Sequence, residues 1–129
     1  MGLIKFDYLF AECIRETYTT IEYRCTMDEK FTKSSHTFTI DKSVFEEVSI
    51  HQNELADYAL YCMKSDKIRV PNVKVTPDTT FNDIGLDRIM ATRFIFKSFL
   101  TDGKIPKKVG AISPEFEKRL DKIEASMRS

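Results

Sequence analysis

Two neighbouring stretches of the chain alternate apolar and polar positions with period two. In TIEYRCTM, Ile21, Tyr23, Cys25 and Met27 are separated by Glu22, Arg24 and Thr26; beyond the turn-rich DEKFTKSS, His36, Phe38 and Ile40 stand against Thr37 and Thr39. Successive side chains of a strand point to opposite faces, so this spacing predicts a hairpin with half-buried strands near 20–27 and 36–40. His36 falls on the core register and reads as a rim residue rather than a ligand. Before the hairpin, Leu3, Phe6, Phe10, Cys13 and Ile14 recur at helical spacing, with Lys5, Glu12, Arg15 and Glu16 on other faces. That pattern predicts an amphipathic helix over 3–17.

After the hairpin the period lengthens. SVFE at 43–46 has the spacing of a capping box, SIHQ at 49–52 repeats it, and Leu55, Ala59, Cys62 and Met63 supply the buried stripe of a helix over about 50–64, preceded by a short turn. KIRVPNVKV is broken by Pro71, which lacks a ladder donor, and reads as an extended linker able to edge a sheet. Pro77 and Asp78 open a helical turn that packs Phe81 and Ile84 and stops at Gly85, and Asp87 is placed to cap a helix over 87–100. Its apolar residues Ile89, Met90, Phe94, Ile95, Phe96, Phe99 and Leu100 cover too much circumference for a one-sided surface helix. The helix is therefore central to the core or presses apolar surface on a partner. LTDGKIPKK reads as a loop, and Ser113, Pro114 and the stripe Phe116, Leu120, Ile123 and Met127 predict a last helix. The fold expected is α+β: a single domain over 1–129 in which an N-terminal helix and hairpin (1–48) pack on a small helical bundle (49–129).

Composition narrows the class. With 42% hydrophobic and 31% charged residues, and no apolar run of the ~18 residues that a membrane span needs, the chain reads as a globular, cytoplasmic domain. Cys13, Cys25 and Cys62 are odd in number and lack metal-ligand spacing, which suits buried reduced thiols. His36 and His51 stand apart from nucleophiles, Glu46 and Glu47 are accounted for by capping, and four glycines provide no phosphate-cradling loop. The expectation is a protein without catalysis, cofactor, metal or small-molecule site.

The segment from Val75 to Ile123 resembles the second to fourth helices of an acyl carrier protein, with VTPDTTFNDIGLD similar to that family's approach to its prosthetic-group site and IPKKVGAISPEFEKRLDKI similar to its last two helices. Residues 52–65 could serve as the first helix. The specific motif is Gly85-Leu86-Asp87. The family places a serine directly after that aspartate, and its hydroxyl receives the phosphopantetheine arm; here Arg88 stands there. The resemblance thus implies a carrier-like bundle that has lost its reactive handle.

Charge then suggests what the surface does. Residues 1–66 hold 7 Lys and Arg against 12 Asp and Glu, whereas residues 67–129 hold 13 against 8. Between 88 and 110 the cations Arg88, Arg93, Lys97, Lys104, Lys107 and Lys108 face Asp102 alone, and these six are the expected partner-binding residues. A basic, apolar helix attracts an acidic protein surface, as a regulator, adaptor or inhibitor would. The alternative is a small DNA-binding transcriptional regulator, with 78–100 as a helix-turn-helix whose Arg88 and Arg93 reach phosphates or bases.

Overall fold

The computed structural model describes residues 8–29 and 32–112. The predicted hairpin is present and longer than its apolar pattern. Strand β2 spans Thr20–Glu29 and β3 spans Thr32–Asp41, so the polar DEKFTKSS contributes residues to both strands. Tyr23 opposes Phe38 and Ile21 opposes Ile40 across the antiparallel ladder, and all four are fully buried. The Tyr23 and Phe38 rings stack with centroids 5.7 Å apart.

In place of the expected N-terminal helix, Tyr8–Glu16 forms strand β1. Its residues carry both periods: Phe10 and Cys13 fit a helical stripe, yet buried Leu9 and Ala11 also alternate with the less buried Phe10 and Glu12. Short apolar runs are ambiguous in this way, and the strand reading wins because β2 offers an unpaired edge along its whole length. A tight connection joins the two strands, where Thr17 Oγ1 accepts from the Thr20 backbone N–H at 3.0 Å and Tyr18 at the tip is 95% exposed. The register shifts between Cys13 and Arg15, leaving Ile14 as an outward bulge.

The remaining strands are short. Ile68–Arg69 (β4) pairs with β3, where the extended linker was expected to edge the sheet, and Lys108–Ile112 (β5) pairs with β1. Among the described residues the sheet is antiparallel with order β4-β3-β2-β1-β5. Residues 108–112 belong to IPKKVGAISPEFEKRLDKI, the stretch likened to a carrier protein's short third and closing fourth helices; the structure has a strand there. That strand carries Gly110, where an added Cβ would lie 2.5 Å from the Phe10 ring.

Between β3 and β4 a 3-10 helix, Lys42–His51, precedes helix α1, Leu55–Lys64. The two-part arrangement follows the expectation, but the capping boxes do not: Ser43 and Ser49 lie inside the 3-10 helix, whose N-cap is Asp41. Leu55, Ala59, Cys62 and Met63 are buried as expected. Helix α2 is the single turn Phe81–Ile84, opened by a Thr80/Asp83 capping box. Gly85 at φ 108° turns the chain into helix α3, Leu86–Asp102, which Gly103 ends in left-handed conformation. Asp87 sits inside α3 instead of capping it.

The helices cover one face of the sheet and close a core containing Phe38, Ile40, Val48, Ala59, Ile95 and Phe96. The structure therefore has a mixed α+β architecture, but its described second half is a set of helices on a shared sheet and not a bundle. The predicted last helix and Phe6 lie outside the described residues. Among those residues no helix is long and apolar enough to cross a membrane.

Candidate functional site

Helix α3 divides the expected site. At 3.6 residues per turn Asp87, Arg88, Ala91, Thr92 and Ile95 face inward and are buried, while Leu86, Met90, Arg93, Phe94, Lys97 and Thr101 face outward. Arg88 is 5% exposed, which corrects its place among the contact residues. Its Nε donates to the Thr37 carbonyl at 3.1 Å, Nη1 to Ile84 at 3.0 Å and Nη2 to Pro71 at 3.0 Å. One planar guanidinium thus joins β3, the end of α2 and the segment after β4. Arginine suits this position because its donors form a rigid fork and because three carbonyls satisfy a cation that burial has removed from water.

Asp87, 2% exposed, fastens the same turn to the neighbouring residue of β3. The His36 imidazole donates from Nδ1 to Asp87 Oδ2, and Asp87 Oδ1 accepts from the Arg88 backbone N–H at 2.9 Å. Cys25, opposite His36 in the ladder, places its Sγ 3.7 Å from Asp87 Oδ2 and 3.4 Å from the His36 carbonyl. Cysteine, histidine and aspartate are therefore neighbours. Their order differs from that of an activated thiol, in which a base touches the sulfur. Here the thiol contacts the carboxylate. Burial, followed by the adjacent Asp87 charge, pushes Cys25 up to about 12, and a thiol held protonated is a weak nucleophile. The cluster serves as a polar bolt between β2, β3 and α3, with His36 at the rim, its side chain 43% exposed.

The other cations are dispersed. Arg93 and Lys97 lie on the outer side of α3, and Lys104 follows in the loop. Lys107 pairs with Glu16, which also accepts from Lys42 Nζ at 2.6 Å. Lys108 points to the opposite face of the sheet, in a concavity with Phe10, Glu12, Arg24 and Thr26. The structure thus brings Arg93 and Lys97 together and leaves Lys107 and Lys108 elsewhere. Of the helix-turn-helix expected over 78–100, α2 is a single turn, and Arg88 is committed to the interior instead of reaching outward.

A further concave surface escaped the sequence reading. A cleft of about 350 Å³ between the 3-10 helix and α1 is lined by Glu47, His51, Glu54, Asp57, Tyr58 and Tyr61. Glu54, the N-cap of α1, and Asp57, Tyr58 and Tyr61 within it follow three-to-four spacing along one face, a periodicity visible in the sequence beside the buried stripe. The Tyr58 hydroxyl donates to the Val44 carbonyl at 2.9 Å and locks the two helices together. Burial, with lesser contributions from neighbours that include Glu47, raises the Tyr58 phenol above its ordinary value.

Comparison with protein-family models, with curated proteins and with solved structures finds no match.

Proposed function

We propose that the protein acts by surface contact, with the outer stripe of α3 engaging an acidic surface of another protein, in the manner of a regulator, adaptor or inhibitor. The observation that carries this is the stripe: Leu86, Met90 and Phe94 recur every fourth residue, half-buried, beside Arg93 and Lys97. Neither cation has a hydrogen-bond or ion-pair partner among the described residues. Apolar anchors bordered by charges free to be neutralised are the composition of a docking surface, and an acidic counterpart supplies the complementary potential.

The test compares wild type with an Arg93→Glu, Lys97→Glu double variant in capture from the source cell, with bound proteins identified by mass spectrometry. An acidic partner recovered by wild type and lost by the variant is the expected result. Equal recovery by both would remove α3 from the interface. Parallel titration with duplex DNA tests the alternative, because phosphate binding weakens by several orders of magnitude between roughly 50 and 200 mM salt.

A further inference from the structure

The cleft between the 3-10 helix and α1 lies in the acidic half of the chain and is independent of the α3 stripe. We infer that it receives an arginine side chain presented by a basic segment of another protein. Carboxylates alone would be a solvated rim; the structure adds concavity and a ladder of rings. His51 stacks on Tyr58 with centroids 4.3 Å apart and planes 9° from parallel, and Tyr58 lies 6.5 Å and 18° from Tyr61. Tyr61 is 56% exposed and Ile50, next to His51 in the chain, is 73% exposed, two of the four exposed large hydrophobic residues among those described. Tyr58 itself is buried, 3% exposed, so the tyrosine ring open to a cation is Tyr61 at the outer end of the stack, whose negative π-face favours one.

Charge sets the class of occupant. Glu47, Glu54 and Asp57 line the cleft, with no lysine or arginine among its lining residues. Glu54 Oε1 engages His51 Nδ1 at 3.1 Å, which holds the imidazole flat on Tyr58. The side chains of Glu47 and Asp57 make no hydrogen bond or ion pair among the described residues, so their charges are available. Arginine fits better than lysine on two counts. Its planar guanidinium stacks on a ring while its fork donates to a carboxylate, and it is more weakly hydrated than an ammonium, so entry costs less.

The experiment is an NMR titration of the full chain with Ac-Gly-Arg-Gly-NH2, with its lysine and norleucine counterparts, and with tetramethylammonium. The arginine peptide is expected to give saturable shifts at residues 47–61, with Kd in the range of roughly 1–10 mM and several-fold tighter than the lysine peptide. Norleucine should give none. Tyr61→Ala should weaken binding about three- to fivefold and Tyr61→Phe should retain it, since the ring face and not the hydroxyl is used. Asp57→Asn should weaken binding and flatten its salt dependence. Both positions are exposed, so the variants keep the fold. Equal binding of arginine and norleucine, shifts centred elsewhere, no saturation, or tetramethylammonium bound more tightly than arginine would each overturn the inference.

Discussion

Arg88 and Lys97 lie nine residues apart on one helix and carry the same charge, yet they belong to different regions of the molecule. Arg88 is enclosed by three backbone carbonyls and sits beside the Asp87 bolt, whereas Lys97 is exposed and its ammonium has no partner among the described residues. The difference teaches that net charge along a helix says little about a surface until each cation is assigned a side. A buried cation costs its hydration and must be repaid by fixed acceptors, while an exposed one costs nearly nothing and stays available.

The largest expected break in that comparison is Arg88→Ala. Three carbonyls would lose a charged donor at once, and a loss of about 3–5 kcal/mol is expected, visible as a fall in Tm of more than about 10 °C. Melting within a degree or two of wild type would mean that the guanidinium is dispensable and that α3 is held by its apolar face alone. Arg88→Lys sharpens the point, since it keeps the charge but not the fork and should recover less than half of that loss.

Asp87→Asn comes next. It keeps the shape but weakens the link to His36, for an expected loss of about 1–2 kcal/mol. His36→Ala should cost a similar amount, and the double variant less than the sum, because the two singles remove one shared contact. Additive losses in denaturant unfolding would show that the bolt does not couple β3 to α3.

Alkaline pH probes the same region more gently. The folded Cys25 is raised from an ordinary 9.0 to about 12, so only the unfolded chain gains a thiolate as pH climbs past the ordinary value. Its contribution to stability is complete below about pH 9 and is progressively lost from there towards about 12. Cys25→Ala should therefore fall less steeply in Tm between about pH 8 and 10.5 than wild type does, whatever its starting stability. Parallel slopes would deny the thiol its buried position.

The smallest effect belongs to the outer side. Arg93→Glu with Lys97→Glu should change stability by no more than ~0.5 kcal/mol per residue. A melting loss approaching that of Arg88→Ala would erase the distinction between the two sides of α3.

What the chain determines by itself is local. The alternation in TIEYRCTM and around Phe38 specifies β2 and β3, because inverting either would turn a buried set to water. The stripe Leu55, Ala59, Cys62 and Met63 specifies α1, and Gly85 and Gly103 mark the bounds of α3 through backbone angles that other residues adopt at a cost. What tertiary structure alone decided is which of two competing periods wins and which partner a polar residue finds. Tyr8–Glu16 fits a helix stripe and a strand alternation, and only the edge of β2 selects the strand. Lys108–Ile112 pairs with β1 from about a hundred residues away, a contact with no local signature. Asp87 and Arg88 read as a cap and a surface cation until α3 is laid on β3, where His36 and the Thr37 carbonyl await them. The reason is common to all three: local periodicity reports where apolar area must go, whereas hydrogen-bonding groups in the interior take partners wherever the packed elements happen to bring them.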